Sequence, residues 1–119
     1  MYKKCAIIFI ITFCCFLSKN GFAEWVILSS NTGCSFQYET GNLEKIGDKI
    51  KVVTKFILSE KNDESIISDV IIDCKNATFK EGFVLYYNHG KVIGSKEHGD
   101  SGEILNSQNY KLLYHKVCE

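Results

Sequence analysis

Three cysteines and three histidines are the side chains of residues 24–119 that are most able to take part in catalysis, metal binding or disulfide formation. The cysteines are Cys34, Cys74 and Cys118, and the histidines are His89, His98 and His115. A thiol could serve as a nucleophile beside a base, as a metal ligand, as a small buried side chain or as half of a disulfide. The environment and spacing of each cysteine decide between these roles.

The spacing argues against catalysis and against a metal. A catalytic thiol needs a nearby base, and a zinc site shows paired Cys or His at close intervals. No histidine here stands at a motif spacing to a cysteine, and no close pair of ligands occurs. We therefore expect no catalytic residue, no metal ligand and no cofactor.

The amino terminus predicts export. Lys3 and Lys4 precede an apolar run over 6–17, and Gly21 and Ala23 are the small residues that a signal peptidase reads. The run is shorter than the roughly 20 apolar residues that a spanning helix needs. We interpret 1–23 as a secretory signal peptide and 24–119 as one domain, with no membrane span after cleavage. The destination would be the periplasm, the cell surface or the medium.

Composition narrows the class of partner. The sequence contains no arginine, and three of its fourteen lysines lie in the predicted signal, against fourteen Asp and Glu residues that all lie beyond it. The exported chain is therefore mildly acidic. Nucleic-acid binding favours a basic surface with forked arginine donors. We expect no nucleic-acid partner, and we expect a protein partner instead.

Alternating residues predict strands over most of the exported chain. The predicted strands are 25–30, 34–40, 49–59, 65–74 and 78–87, with a sixth beginning at 91. In the fourth, Val70, Ile72 and Cys74 share the apolar face, whereas Asp69 and Asp73 share the opposite one. Cys74 should therefore point towards the core, and the aspartates should lie on a solvated face.

The last segment changes to a helical period. In "SQNYKLLYHKVC" Ser107 is a suitable N-cap, and an apolar stripe that begins at Tyr110 ends at Cys118. The fold class is thus α+β: an antiparallel sheet of about six strands with a C-terminal helix packed on one face. In an oxidising compartment Cys74 and Cys118 would staple sheet to helix. Pairings that involve Cys34 are the alternatives; otherwise Cys34 is a buried free thiol or an intermolecular bridge.

The order of these features resembles the surface-adhesin protein E-like family of exported bacterial domains. The marks are "WVILSS" directly after the signal, then "FQYET", "IGDKIKVV", Ser65 eight residues before Asp73-Cys74, and a Ser-capped helix ending in "KVC". The chain departs from the family at "LNSQ", which stands in place of a Pro-Gly-Ser lead, and at Thr54, near the place of a tryptophan. The resemblance implies the same sheet and helix, and a disulfide between Cys74 and Cys118.

For function, the resemblance implies an adhesin that binds host matrix or serum proteins such as vitronectin, laminin and plasminogen, with homodimers as a further expectation. The alternative is a periplasmic structural or assembly factor that binds another protein of the bacterial envelope. Tyr86 and Tyr87 fit core packing, with a binding surface as the other interpretation. The sequence assigns no ligand-binding residue.

Overall fold

The computed structural model describes residues 24–119, so the predicted signal over 1–23 lies outside the described residues. Eight strands are followed by a 3-10 turn and one α-helix. The elements are β1 Trp25–Asn31, β2 Cys34–Glu39, β3 Glu44–Ile46, β4 Lys49–Ser59, β5 Glu64–Asp73, β6 Thr78–Asn88, β7 Lys91–Lys96, β8 Ser101–Glu103, the 3-10 turn Ile104–Asn106 and α1 Gln108–Val117.

All the strands join one antiparallel sheet in the order β1-β2-β4-β5-β6-β7. The prediction of an antiparallel sheet with a C-terminal helix is confirmed, but the count of about six strands is wrong. The two additional strands, β3 and β8, are three residues long and pair with the first halves of the long strands β4 and β6. Neither was among the predicted strands, because three exposed residues show no clear apolar alternation.

Strands β4 and β5 form the centre of the sheet, and their register explains the core. Val52 pairs with Val70 and Ile50 with Ile72, so β-branched side chains lie side by side on one face. Val70 and Ile72 are fully buried, while Asp69, which directly precedes Val70, is exposed on the opposite face. The face predicted for Val70 and Ile72 is therefore confirmed. Leu58 has the same alternation as Val52 and Phe56 in the sequence, but it is 44% exposed, because a register shift follows Ile57.

The helix packs on this apolar face. Ser107 accepts a hydrogen bond from the Tyr110 amide and so caps α1 as predicted. Tyr110 and Leu113 are buried against the sheet core. Burial of this stripe against the sheet stabilises α1, because a helix of ten residues is only marginally stable on its own.

The carboxyl end of α1 is tied to β5 twice. Cys74 and Cys118 form the predicted disulfide, with their Cα atoms 5.6 Å apart. The hydroxyl of Tyr114 donates a hydrogen bond to the carbonyl oxygen of Cys74 at 3.0 Å. The amino end of α1 has no such covalent tie, and it borders a part of the sheet that the helix leaves uncovered. Within 24–119 no helix is long and apolar enough to cross a membrane.

Candidate functional site

A groove crosses the sheet beyond the amino end of α1. Its floor is one rung of cross-strand neighbours on the helix-bearing face. From β1 to β7 the rung reads Ser29, Phe36, Phe56, Ile66, Tyr86 and Gly94. With neighbouring strands about 4.8 Å apart, six strand positions span about 24 Å. The first turn of α1 forms one wall of the groove, so the helix fixes its position.

Two adjoining pockets make up the groove. The pocket towards β6 and β7 has a volume of about 270 Å³, and the pocket towards β1 has about 360 Å³. They share Phe36, Phe56 and Asn109 as lining residues. Phe36 and Phe56 meet edge to face with ring centroids 6.2 Å apart. We call these the acidic pocket and the Cys34 pocket, after the groups described below.

The acidic pocket is built around Glu81 of β6. The hydroxyl of Tyr110 donates to Oε2 of Glu81 at 2.5 Å, and the backbone N–H of Asp100 donates to Oε1 at 2.9 Å. Asp100 and Lys96, the last residue of β7, are also lining residues of this pocket. Two acidic residues and one lysine therefore lie at this end of the groove.

Glu81 reaches the helix-bearing face because β6 carries a bulge. Val70 pairs with Glu81 and Ser68 with Val84, so two residues of β6, Gly82 and Phe83, lie opposite one residue of β5. The mixed alternation of "TFKEGFVLYY" is consistent either with burial on both faces or with a bulge near Gly82, and the register shows the bulge. A bulge redirects side chains, and here it turns a carboxylate towards the helix.

Two nearly buried hydroxyl groups complete the pocket wall. Thr54 is 3% exposed and Ser68 is 5% exposed, and both residues line the acidic pocket. Burial of Tyr110, together with its hydrogen bond to the Glu81 carboxylate, raises the pKa of the Tyr110 hydroxyl well above its ordinary value. A hydrogen bond with Thr54 acts in the opposite direction on that pKa. Tyr110 therefore stays a neutral donor to Glu81 at physiological pH.

The Cys34 pocket is neutral. The thiol of Cys34 donates to the carbonyl oxygen of Leu58 at 3.2 Å, and Cys34 is half-buried. The hydroxyl of Ser29 donates to Oδ1 of Asn109 at 3.3 Å, which links β1 to the first turn of α1. Within 24–119 Cys34 is thus a free thiol, and its pairing with Cys74 or Cys118 is excluded by the disulfide between those two.

None of the three histidines lines either pocket of the groove. His89 is exposed in the turn between β6 and β7, and His98 is exposed in the connection between β7 and β8. His115 contacts Oε2 of Glu119 at 2.8 Å on the outside of α1. Within 24–119 no group of three His, Cys, Asp or Glu side chains is arranged to hold a metal ion.

Asp73 has a structural task at the end of β5. Its Oδ1 accepts the backbone N–H groups of Lys75 and Asn76, and its Oδ2 accepts the Asn76 side-chain amide. These bonds, those from Asn76 first, lower the pKa of the Asp73 carboxyl below its ordinary value. Asp73 therefore stabilises the turn that delivers Cys74 to the disulfide.

Sequence reasoning missed the polar residues of the acidic pocket. These are Thr54, Ser68, Glu81, Lys96 and Asp100. The signals available were a carboxylate next to Gly82, since a glycine inside a strand often marks a bulge, and small hydroxyl residues on the apolar faces of two strands. Tyr86, for which a binding surface was one interpretation, does line the pocket, whereas its neighbour Tyr87 belongs to the opposite face.

Comparison with known proteins gives no match: no family model fits the chain, and neither a curated protein nor a solved structure resembles it at a significant level.

Proposed function

We propose that residues 24–119 form an exported, non-enzymatic binding module of the surface-adhesin protein E-like type, and that its ligand is a host matrix or serum protein. The observation that carries the proposal is the groove. It combines an aromatic and aliphatic floor with polar groups at both ends. Its length of about 24 Å fits an extended segment of polypeptide of about seven residues.

The composition of the groove is that of a recognition surface. Binding pockets are lined mainly by apolar and aromatic side chains, with a few placed polar groups that set specificity. Phe36, Phe56 and Tyr86 provide the aromatic surface here, and Glu81 and Asp100 provide acceptors at one end. Tyr and Phe contribute strongly to protein interfaces because they bury a large area at low entropic cost.

The positions of the reactive side chains favour binding over catalysis. Two cysteines are consumed by the disulfide, and the Cys34 thiol is directed at a backbone carbonyl. The disulfide itself suits an oxidising, extracytoplasmic location. The predicted signal peptide over 1–23, the disulfide between sheet and helix, and a groove open to solvent together support an extracytoplasmic binder.

Two adjacent residues of β5 provide a matched test. Ile66 lies on the floor of the groove, and Ile67 lies on the opposite face; both are half-buried. Purified, oxidised 24–119 would be immobilised and exposed separately to vitronectin, laminin and plasminogen. The proposal predicts that Ile66→Asn abolishes capture of a bound protein while Ile67→Asn retains it, with both variants folded by circular dichroism. If Ile67→Asn abolished capture and Ile66→Asn left it intact, the bound protein would contact the opposite face of the sheet, and the groove would not be the binding surface.

The alternative function, an envelope assembly factor, is favoured by one feature of the sheet edge. Strand β7 ends the sheet, and its Val92 and Ile93 are 54% and 67% exposed. An exposed edge can accept a strand from a partner. Protease treatment of intact cells separates the two functions: an adhesin is cleaved from outside, whereas a periplasmic factor is protected until the outer membrane is opened.

A further inference from the structure

Glu81 and Asp100 form a pair of carboxylates at one end of the groove, and neither is neutralised by a salt bridge. Within 24–119 the only ion pair within 4 Å joins His115 and Glu119. Asp100 is adjacent to Glu81, because its backbone N–H donates to Oε1 of Glu81 at 2.9 Å, and both residues line the acidic pocket. A ligand group of opposite charge in that pocket would therefore be attracted by both.

Glu81 is held in place but retains acceptor capacity. Each of its oxygens accepts one hydrogen bond, from Tyr110 and from the Asp100 amide. An ionised carboxylate can accept about four hydrogen bonds. One free acceptor position on each oxygen therefore remains for a ligand that donates, and the fixed geometry lowers the entropic cost of binding it.

The rest of the acidic pocket is apolar on one side and hydroxyl-bearing on the other. Phe56, Ile66 and Tyr86 form the floor next to the carboxylates, while Thr54 and Ser68 add two nearly buried hydroxyl groups. Hydroxyl oxygens also accept hydrogen bonds from a cation. Phe56 and Tyr86 also line the pocket, and an aromatic ring can attract a cation through its face.

We propose that the acidic pocket binds a primary ammonium group carried on an apolar stem, with the ammonium group at Glu81 and Asp100 and the stem on Phe56 and Ile66. The inference rests on the proposed function, since it names the chemistry that the same groove selects. A lysine side chain of the partner protein and a free small amine both have this chemistry. Lys96 at the rim carries the same charge as the ligand, so it opposes binding and limits the affinity.

The test is a titration of the isotope-labelled, oxidised chain 24–119 with phenethylamine, followed by amide chemical shifts. Phenethyl alcohol serves as the neutral counterpart and hydrocinnamate as the anionic one. We expect phenethylamine to bind about tenfold more tightly than the alcohol, because a charge-assisted hydrogen bond is the main difference between them. The shifts should centre on Ile66, Glu81 and Asp100. Equal affinities for the amine and the alcohol, or shifts confined to the opposite face of the sheet, would overturn the inference.

Substitution of several charged residues, one at a time, ensures that a folding defect in one variant does not decide the test. Asp100→Asn changes an exposed side chain and should weaken phenethylamine binding about threefold. Glu81→Gln should weaken it about tenfold. Lys96→Gln should strengthen it, because the competing charge is lost. Glu97→Gln is the matched control: Glu97 is exposed in the same connection and does not line the pocket, so binding should be unchanged.

The outcomes separate this inference from the proposed function. If Ile66-dependent capture of a host protein persists while the amine shows no selectivity, the ammonium inference fails and the proposed function stands. If the amine binds selectively while none of the host proteins is captured, the inference stands and the proposed protein ligand fails. Acetylation of the lysines of a captured protein identifies the source: loss of capture assigns the ammonium group to that protein, and unchanged capture assigns it to a free amine.

Discussion

Tyr110, in the first turn of α1, donates its phenolic hydroxyl to Oε2 of Glu81 on β6 at 2.5 Å. The ring of Tyr110 stacks on Phe79 with centroids 4.3 Å apart and meets Phe36 edge to face at 5.8 Å. One side chain therefore anchors the amino end of the helix through its ring and fixes a pocket carboxylate through its hydroxyl. Helix packing and pocket geometry are coupled at this residue.

Replacement of Tyr110 by Phe should keep the packing and remove the hydrogen bond. A hydrogen bond to a charged group contributes about 2 kcal/mol to stability. We expect Tyr110→Phe to lower the free energy of unfolding by about that amount near neutral pH, measured by urea denaturation. Tyr114→Phe, which removes the neutral bond to the Cys74 carbonyl, is the matched comparison and should cost about 1 kcal/mol. A larger loss in Tyr114→Phe would contradict the role assigned to Glu81.

The raised pKa of Tyr110 predicts a loss of stability in alkali. Above about pH 10 an unfolded tyrosine releases its proton, whereas the folded Tyr110 retains it. The contribution of the Tyr110 hydroxyl to the free energy of unfolding is thus fully present below pH 10. Above pH 10 it falls by about 1.4 kcal/mol per pH unit. The stability difference between wild type and Tyr110→Phe should therefore narrow between pH 10 and pH 11 in urea denaturation series. A constant difference over that range would refute the prediction.

The disulfide should supply a large share of the stability. Cys74 and Cys118 lie 44 positions apart, and closing a loop of that size restricts the unfolded chain by about 4 kcal/mol. We expect Cys74→Ala with Cys118→Ala to lower the free energy of unfolding by about that amount and to increase amide exchange in α1. Cys34→Ala keeps the bridge and removes only a weak S–H donor, so it should change stability by less than about 1 kcal/mol. A double variant as stable as wild type would contradict the stabilising role of the disulfide.

Gly99 should tolerate no side chain, because it packs directly against Glu81. A Cβ atom at Gly99 would overlap Oε1 of Glu81 and would lie 2.9 Å from Cγ2 of Val84. We expect Gly99→Ala to lower stability by about 2 kcal/mol through overpacking and to displace the Glu81 carboxylate. At Gly102 the same atom would meet the Phe79 ring at an ordinary 3.5 Å, so Gly102→Ala is the control. Thermal unfolding and the Asp100 amide shift would detect the difference; equal behaviour of the two variants would refute it.

The hydrogen bonds of Asp73 predict how its carboxyl group titrates at low pH. Hydrogen bonds from Asn76 and Lys75 favour the charged carboxylate and lower its pKa below 3.8. The stabilisation that they provide is present above the ordinary value and is lost as the pH falls through the lowered one. A carboxyl-carbon titration by NMR should give the lowered pKa in wild type and a higher one in Asn76→Ala, where the side-chain donor is gone. An unchanged pKa in that variant would assign the shift to the backbone donors alone.

Local patterns in the sequence determined the main elements. The alternation in "KIKVVTKFILS" defines β4 over 49–59, because successive side chains of a strand face opposite sides. The cap at Ser107 and the stripe that begins at Tyr110 define α1 in the same way. Together they also indicated the Cys74–Cys118 pairing, since both cysteines end elements on their apolar sides. These features depend on a few consecutive residues, which is why a single sequence is sufficient for them.

Tertiary structure decided the short strands and the candidate site. Strands β3 and β8 exist because long partners, β4 and β6, extend beyond their other neighbours and offer free backbone groups. The acidic pocket brings Ser68, Glu81 and Asp100 together across strand registers, a bulge and a loop. The sequence positions of these three residues do not predict that they lie close together, because cross-strand proximity is set by register and by the position of the helix above the sheet. The sequence by itself therefore determined the elements and the staple, and only the packed sheet and helix created the groove.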